Sequence, residues 1–224
     1  MTDLQFWSGF INIIILDLVL SGDNAVVIGM ASRKLPLEQR KKAIIYGSLI
    51  AVFLRITLTL VALTLLSIPL LKTVGGILLI WIAIRLLADE SEDSHIGAGG
   101  PTMKSAIKTI IVADVIMSLD NVLAVAGASH GNFYLVLFGL ALSIPILMWG
   151  SKMIAGIINR FPSIEYIGSA ILGYTAGELL VSDDWFSTWL REQQFEEMSW
   201  MISAILAMIV VAVGWGLKRR ARMQ

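Results

Sequence analysis

The sequence predicts an all-α, polytopic membrane protein, and three observations carry that prediction. The chain of 224 residues is 57% hydrophobic and only 15% charged, with a mean hydropathy of +0.80. Soluble domains are nearer to about 45–50% apolar and about 25% charged. The apolar residues also fall into runs of about 20, the length a helix needs to cross a hydrocarbon core. Finally, two long segments match one another across the halves of the chain, polar residues included.

Seven runs read as spanning helices: Trp7–Ala31, Ala43–Ser67, Leu70–Ala88, Ser105–Ser129, Asn132–Ile157, Ser163–Val181 and Ser199–Leu217. The opening MTDLQFW has no basic n-region, so no cleavable signal peptide is expected and the first run stays as a helix. Most connections are short. Asp89–Lys104 is polar and Gly-rich and reads as a flexible loop. Ser182–Met198 is acidic but carries Trp185, Phe186, Trp189 and Phe195, which suits a segment lying at the membrane interface. Arg33, Lys34, Arg40, Lys41, Lys42, Lys152, Arg160 and the tail Lys218, Arg219, Arg220 and Arg222 gather on one side. Lys72 and Arg191 fall on the other. The positive-inside rule then places the N-terminus outside and the C-terminus in the cytoplasm.

The repeat is explicit. IIILDLVLSGDNAVVIGMAS (Ile13–Ser32) aligns without gaps to IIVADVIMSLDNVLAVAGAS (Ile110–Ser129), with eight of twenty positions identical. Asp17 pairs with Asp114, Ser21 with Ser118, Asp23 with Asp120, and Asn24 with Asn121. The third runs correspond as well, pairing Pro69 with Pro162, Gly75 with Gly168, and Arg85 with Glu178. Three helices per copy invert the second copy relative to the first. The chain is then one transmembrane domain over 1–224, with repeat one at about 7–88, repeat two at about 105–181 and an extra helix at about 199–217. Such inverted repeats recur in secondary transporters, whose sites lie near the midplane between the copies.

The duplicated polar residues are the candidate site. A charge at mid-membrane costs at least about 2.5–3.5 kcal/mol on insertion scales. Four buried aspartates must therefore be protonated, paired or neutralised by a cation. On an ideal helix Asp17, Ser21 and Asn24 share a face, and Asp23 lies off it by about a third of a turn. A break near Ser21-Gly22 would bring the carboxylates together and make Asp23 and Asn24 cap residues; Leu119 stands at the second copy's equivalent of Gly22. Carboxylate, amide and hydroxyl oxygens form a hard donor set, suited to Mg²⁺, Ca²⁺ or Mn²⁺ rather than to Cu⁺ or thiolate zinc. The candidate metal ligands are Asp17, Asp23, Asn24, Asp114, Asp120 and Asn121, with Ser21 and Ser118. Met30, Met117 and Met148 leave an opening to softer metals, though helical methionines usually pack. Four carboxylates around one divalent ion leave a net charge near −2, so either some aspartates stay protonated or a buried base helps. Arg55, Arg85 and Lys108 are the candidates, and Arg55 is central in its helix and cannot snorkel.

The bland readings stand beside these. Ser21 and Ser118 could bond neighbouring helices, Arg85, Lys152 and Glu165 could sit at the interface, and Gly75, Gly76 and Gly168 could serve close packing. The chain has no cysteine, its two histidines, His95 and His130, fall in predicted loops, and it has no Walker-type loop. Its formal net charge is zero, which gives no ground for a nucleic-acid partner. No nucleophile with a partner appears, so no enzyme and no organic cofactor are expected.

LDLVLSGDNAVVIGMA and ADVIMSLDNVLAVAGA resemble the paired signature of the TerC family of bacterial integral membrane proteins, and the likeness runs over nearly the whole chain. The family takes its name from tellurium resistance, and several members are linked to manganese export. The resemblance implies efflux of manganese(II) from the bacterial inner membrane, the ion carried by the signature residues above, with protons as a possible counter-ion and a homo-oligomer left open. The alternative it leaves is a membrane accessory protein that binds metal and delivers it to exported metalloproteins or a partner transporter.

Overall fold

A computed structural model describes residues 3–61, 68, 70–88, 102–129, 132–192 and 199–221, the side chains of 3–6 and 221 excepted. The described residues are helical throughout their regular elements: α1 Asp3–Leu20, α2 Gly22–Ser32, α3 Leu37–Leu60, α4 Leu71–Ala88, α5 Met103–Ala128, α6 Phe133–Arg160, α7 Ile164–Val181, α8 Asp184–Glu192 and α9 Ser199–Ala221. Five of these, α3, α4, α5, α6 and α9, are long and apolar enough to cross a membrane. A sixth span is made by Trp7–Leu20 with Gly22–Ser32, taken as one helix bent by 49°. The expected helix at Ser163–Val181 is present as α7 but, with Glu165 and Glu178 in its 18 residues, falls outside that group.

The first span breaks at Ser21, as its Ser-Gly pair predicts. Helices bend sharply at such pairs. The second copy does not break: α5 runs unbroken through Ser118-Leu119, closed by Thr102, whose hydroxyl accepts from Ser105 N at 3.1 Å. Asn132 caps α6 in the same way through Tyr134 N at 3.0 Å. α3 begins at Leu37, earlier than the predicted Ala43. Pro36 sits at its N-cap, and Leu37–Lys42 are good helix formers, so the helix outruns its apolar stretch. The predicted loop residues Asp89–Pro101, His95, His130 and Phe195 lie outside the described residues, as do 62–67 of the second run.

Packing joins the halves more than it joins neighbours in sequence. α3 lies along α5, α1 and α2 lie along α6, and α4 lies along α7. α3 touches α4, and α5 touches α6, at most marginally among the described residues. Two glycines mark the crossings between the halves that involve the motif helices. A Cβ on Gly139 of α6 would stand 2.5 Å from Ile13 Cγ2, and one on Gly47 of α3 would stand 2.9 Å from Ile110 Cγ2. Ile13 and Ile110 are equivalent residues of the two motifs, so the crossings are reciprocal. Gly75 faces Ile116 and Leu179, and Gly168 faces Val26 and Met30, which makes their role close packing. α9 lies against α7 and α4, where Gly177 abuts Ser203 and Gly214 abuts Leu87.

The largest buried cluster draws Val27 and Met30 of α2, Leu79 and Ile82 of α4, Ile116 and Met117 of α5 and Leu172 and Leu179 of α7 into one core. Met30 and Met117 are thus packing residues, and Met148 lies against a second cluster. Large apolar side chains such as Val19, Phe53, Phe138, Trp149 and Met208 are exposed on the outside, as lipid contact requires. On α8 the rings of Trp185 and Trp189 are exposed while Leu190 is buried, the asymmetry expected at an interface.

Candidate functional site: two polar half-motifs around a buried arginine

Both halves of the repeat deliver their leading Asp and Ser to one point. Arg55 reaches it from α3 and is 1% exposed. Its Nη1 donates to Asp17 Oδ1 and to Ser21 Oγ, both at 2.5 Å, and its Nη2 donates to Asp114 Oδ1 at 2.5 Å. Its Nε donates to Ser118 Oγ at 3.0 Å. Within each half-motif the serine also donates to its own aspartate, Ser21 to Asp17 at 3.2 Å and Ser118 to Asp114 at 3.4 Å. A guanidinium presents its donors in a flat fork, so it can serve two carboxylates and two hydroxyls at once. Of the three candidate bases, Arg55 alone takes this place: Lys108 is exposed, and Arg85 lies 4.6 Å from the Trp81 ring.

The trailing aspartates sit elsewhere. Asp23 is half-buried; its Oδ1 accepts from Asn24 N at 2.8 Å and its Oδ2 from Thr175 Oγ1 of α7 at 3.3 Å. Asp17 and Asp23 take different partners: Arg55 holds Asp17, while Asp23, past the bend at Ser21, accepts from Thr175 of α7. Ser21, rather than Asp23 or Asn24, takes the N-cap position of α2, and Asp23 lies in its first turn, where a negative charge suits the helix dipole. Asp120 pairs with Lys72 at 2.6 Å and accepts from Ser182 Oγ at 3.2 Å. Among the described residues no three Asp, Glu, His or Cys side chains stand close enough together to hold a metal ion.

The two asparagines differ sharply. Asn121 Nδ2 donates to the carbonyl of Leu20 at 3.0 Å, an oxygen that the break at Ser21 leaves without its helical partner. Asn24 is 2% exposed, and neither its Nδ2 nor its Oδ1 has a hydrogen-bond partner. The equivalent carbonyl for Asn24 would come from α5 at Met117, but α5 is unbroken and spends its carbonyls on its own turns.

A family model described as "Integral membrane protein TerC family" matches residues 2–222. The chain belongs to the TerC family. It is 46% identical over 198 residues to the membrane protein YjbE of Bacillus subtilis (strain 168), covering 88% of this chain and 90% of that one. It is 30% identical over 185 residues to the UPF0053 protein YegH of Escherichia coli (strain K12), of which it spans only 34%. It is 25% identical over 188 residues to the inner membrane protein YgdQ of the same strain, covering 79% of that chain. No solved structure matches the sequence.

This TerC-family chain holds a second buried ionic group that the sequence reading placed at the interface. Glu165 of α7 is 3% exposed. It pairs with Arg33, just beyond α2, and with Lys218 of α9 at 2.6 Å. The tail lysine read as an orientation signal thus also fastens α9 to the repeats. A helical period could not reveal this, since the partners are far apart in sequence. Glu178 is exposed on α7 and lies within reach of the charges of both Asp23 and Asp120. Its alignment opposite Arg85 was the one available signal. Asp183, buried beside it, caps two helices, accepting from Thr73 N of α4 at 3.0 Å and from Trp185 N of α8 at 3.2 Å.

Proposed function

We propose that the chain is a secondary transporter that exports divalent metal, manganese(II) foremost, from the cytoplasm by alternating access. The observation that carries the reading is the meeting of the duplicated Asp and Ser pairs, one pair from each half, around a single buried cation. Native interiors rarely leave polar groups unsatisfied, and the orphaned amide of Asn24 in the same half-motif is the kind of local cost that functional sites retain. The donors are hard oxygens, which fit Mn²⁺ as well as Mg²⁺ and Ca²⁺; family membership is what favours manganese.

In this reading α7 completes seven spans, arranged as an inverted three-plus-three repeat with α9 as the extra helix. The reciprocal contacts of Ile13 with Gly139 and Ile110 with Gly47 support it. So does the pairing of each repeat's first helix with the other's second. The N-terminus lies outside, the C-terminus lies in the cytoplasm, and the membrane is the bacterial inner membrane, as in the name of YgdQ. Metal and protons compete for the aspartates, which couples metal export to proton entry. Asp17, Asp23, Asn24, Asp114, Asp120 and Asn121 line the path, with Ser21 and Ser118. No covalent step is involved, so the chain acts without enzyme activity or organic cofactor.

The test is Mn²⁺ flux into proteoliposomes of the purified protein, with and without a pH gradient, with Mg²⁺ and Ca²⁺ as comparison ions. Carriage of Mn²⁺ that responds to the gradient is the expected result. An intact reconstitution that carries no metal would sink the transporter reading and leave the metal-delivering accessory protein.

A further inference from the structure

The oxygen atoms a divalent ion would need are the ones Arg55 now holds. Asp17, Ser21, Asp114 and Ser118 all bond its guanidinium, at 2.5 to 3.0 Å. Among the described residues no second basic side chain pairs with these carboxylates. Matching the two crossings, Gly47 with Gly139, sets Leu147 of α6 opposite Arg55 of α3. One positive charge therefore serves two half-sites. A divalent ion added to this cluster would bring three positive charges against two carboxylates in a buried pocket, and uncompensated buried charge is strongly unfavourable. Ion and guanidinium thus exclude one another.

The guanidinium also has somewhere to go. Asp23 belongs to the same half-motif as Asp17 and Ser21 and lies in the first turn of α2, just past the break. Its carboxylate accepts from the Thr175 hydroxyl and the Asn24 N–H, and among the described residues no basic side chain pairs with it. It sits at the helix break, where α2 is joined to α1 by Ser21 alone. A Cβ at Gly22 would meet nothing within 4 Å, so the hinge is not packed shut.

Resting on the transport reading, we propose that Arg55 is a tethered counter-cation. It fills the donors of Asp17, Ser21, Asp114 and Ser118 when no metal is bound, and it swings to Asp23 when a divalent ion takes them. The charges fit the exchange: three aspartates, one arginine and one divalent ion sum to zero. An arginine that must be displaced weakens metal binding, and in return it offsets one of the two charges of the empty Asp17–Asp114 pair, leaving one for a proton before the unloaded carrier reorients. Net transport needs that return step; exchange of metal for metal across the membrane does not.

The experiment compares wild type, Arg55→Gln and Arg55→Lys, full-length and purified, with Mn²⁺ as the probe. Removing the competitor is expected to tighten Mn²⁺ binding to Arg55→Gln about tenfold, since an occupied site lowers apparent affinity by the free fraction. In proteoliposomes Arg55→Gln should keep Mn²⁺–Mn²⁺ exchange and lose net efflux, with Arg55→Lys intermediate. Unchanged or weaker Mn²⁺ binding by a monodisperse Arg55→Gln, or exchange and net efflux lost together, would overturn the proposal. If Arg55→Gln does not fold, Arg55→Lys decides: tighter binding than wild type supports the proposal, and equal or weaker binding overturns it. Wild type that neither binds nor carries Mn²⁺ refutes the transport reading itself, and the proposal falls with it.

Discussion

Asn24 and Asn121 occupy equivalent places in the two repeats, yet their removal should change stability in opposite directions. Asn121 gives a hydrogen bond to the Leu20 carbonyl at 3.0 Å. Asn121→Leu deletes that bond and strands a carbonyl at the break, a loss of about 1–3 kcal/mol. Asn24 buries an amide whose oxygen and nitrogen are both unpartnered. Asn24→Leu is close in volume and removes both atoms, a gain of about 1–2 kcal/mol on the same desolvation scale. The two variants should then differ by about 2–5 kcal/mol, or about 4–20 °C in unfolding midpoint at about 2–4 °C per kcal/mol. The assay is thermal unfolding in detergent, read by tryptophan fluorescence. Equal shifts in the two variants, or a loss at Asn24 as large as at Asn121, would refute the reasoning that the unbroken α5 is what orphans Asn24. If Asn24 serves the ion, its leucine variant should be stable and transport-deficient.

Three further outcomes follow from packing and charge. Glu165→Gln leaves Arg33 and Lys218 without the carboxylate they share, at a cost of about 3–5 kcal/mol; the same unfolding assay should show a large fall that Lys218→Met partly reverses. Gly139→Ala drives a Cβ into Ile13 and should cost about 1–3 kcal/mol, with Ile13→Ala relieving the clash; additive effects in that cycle would mean that α1 and α6 do not cross there. Asp183→Ala removes caps from two helix starts and should cost about 1 kcal/mol per cap, measured as a lowered midpoint with flux retained.

Much of this was legible in the residues. Composition and the spacing of apolar runs give the helices, because a backbone in lipid must satisfy its own hydrogen bonds. The Ser-Gly pair makes a break at Ser21 open to the first span, and Leu119 makes one less so in α5, but the residues alone leave both undecided. Arg55 stands out because an arginine at mid-helix cannot reach water. What pattern could not give is what tertiary packing decides. Past the bend Asp23 finds Thr175 of α7, a partner that no helical period gives. Glu165 looks interfacial until Arg33 and Lys218 close over it. The start of α3 was misplaced because an apolar run marks where lipid begins, and not where helix begins. α7 is the helix its apolar run predicts, and it packs between α4 and α9.

The most direct test of the central claim is net Mn²⁺ flux in proteoliposomes for Asp17→Asn, Asp114→Asn, Asp23→Asn and Asp120→Asn beside wild type. A single path built from both half-motifs predicts that each substitution, in either repeat, abolishes or severely slows net flux while the protein stays folded. Wild-type flux in a variant of one repeat, with loss confined to the other, would contradict a site shared between the two copies.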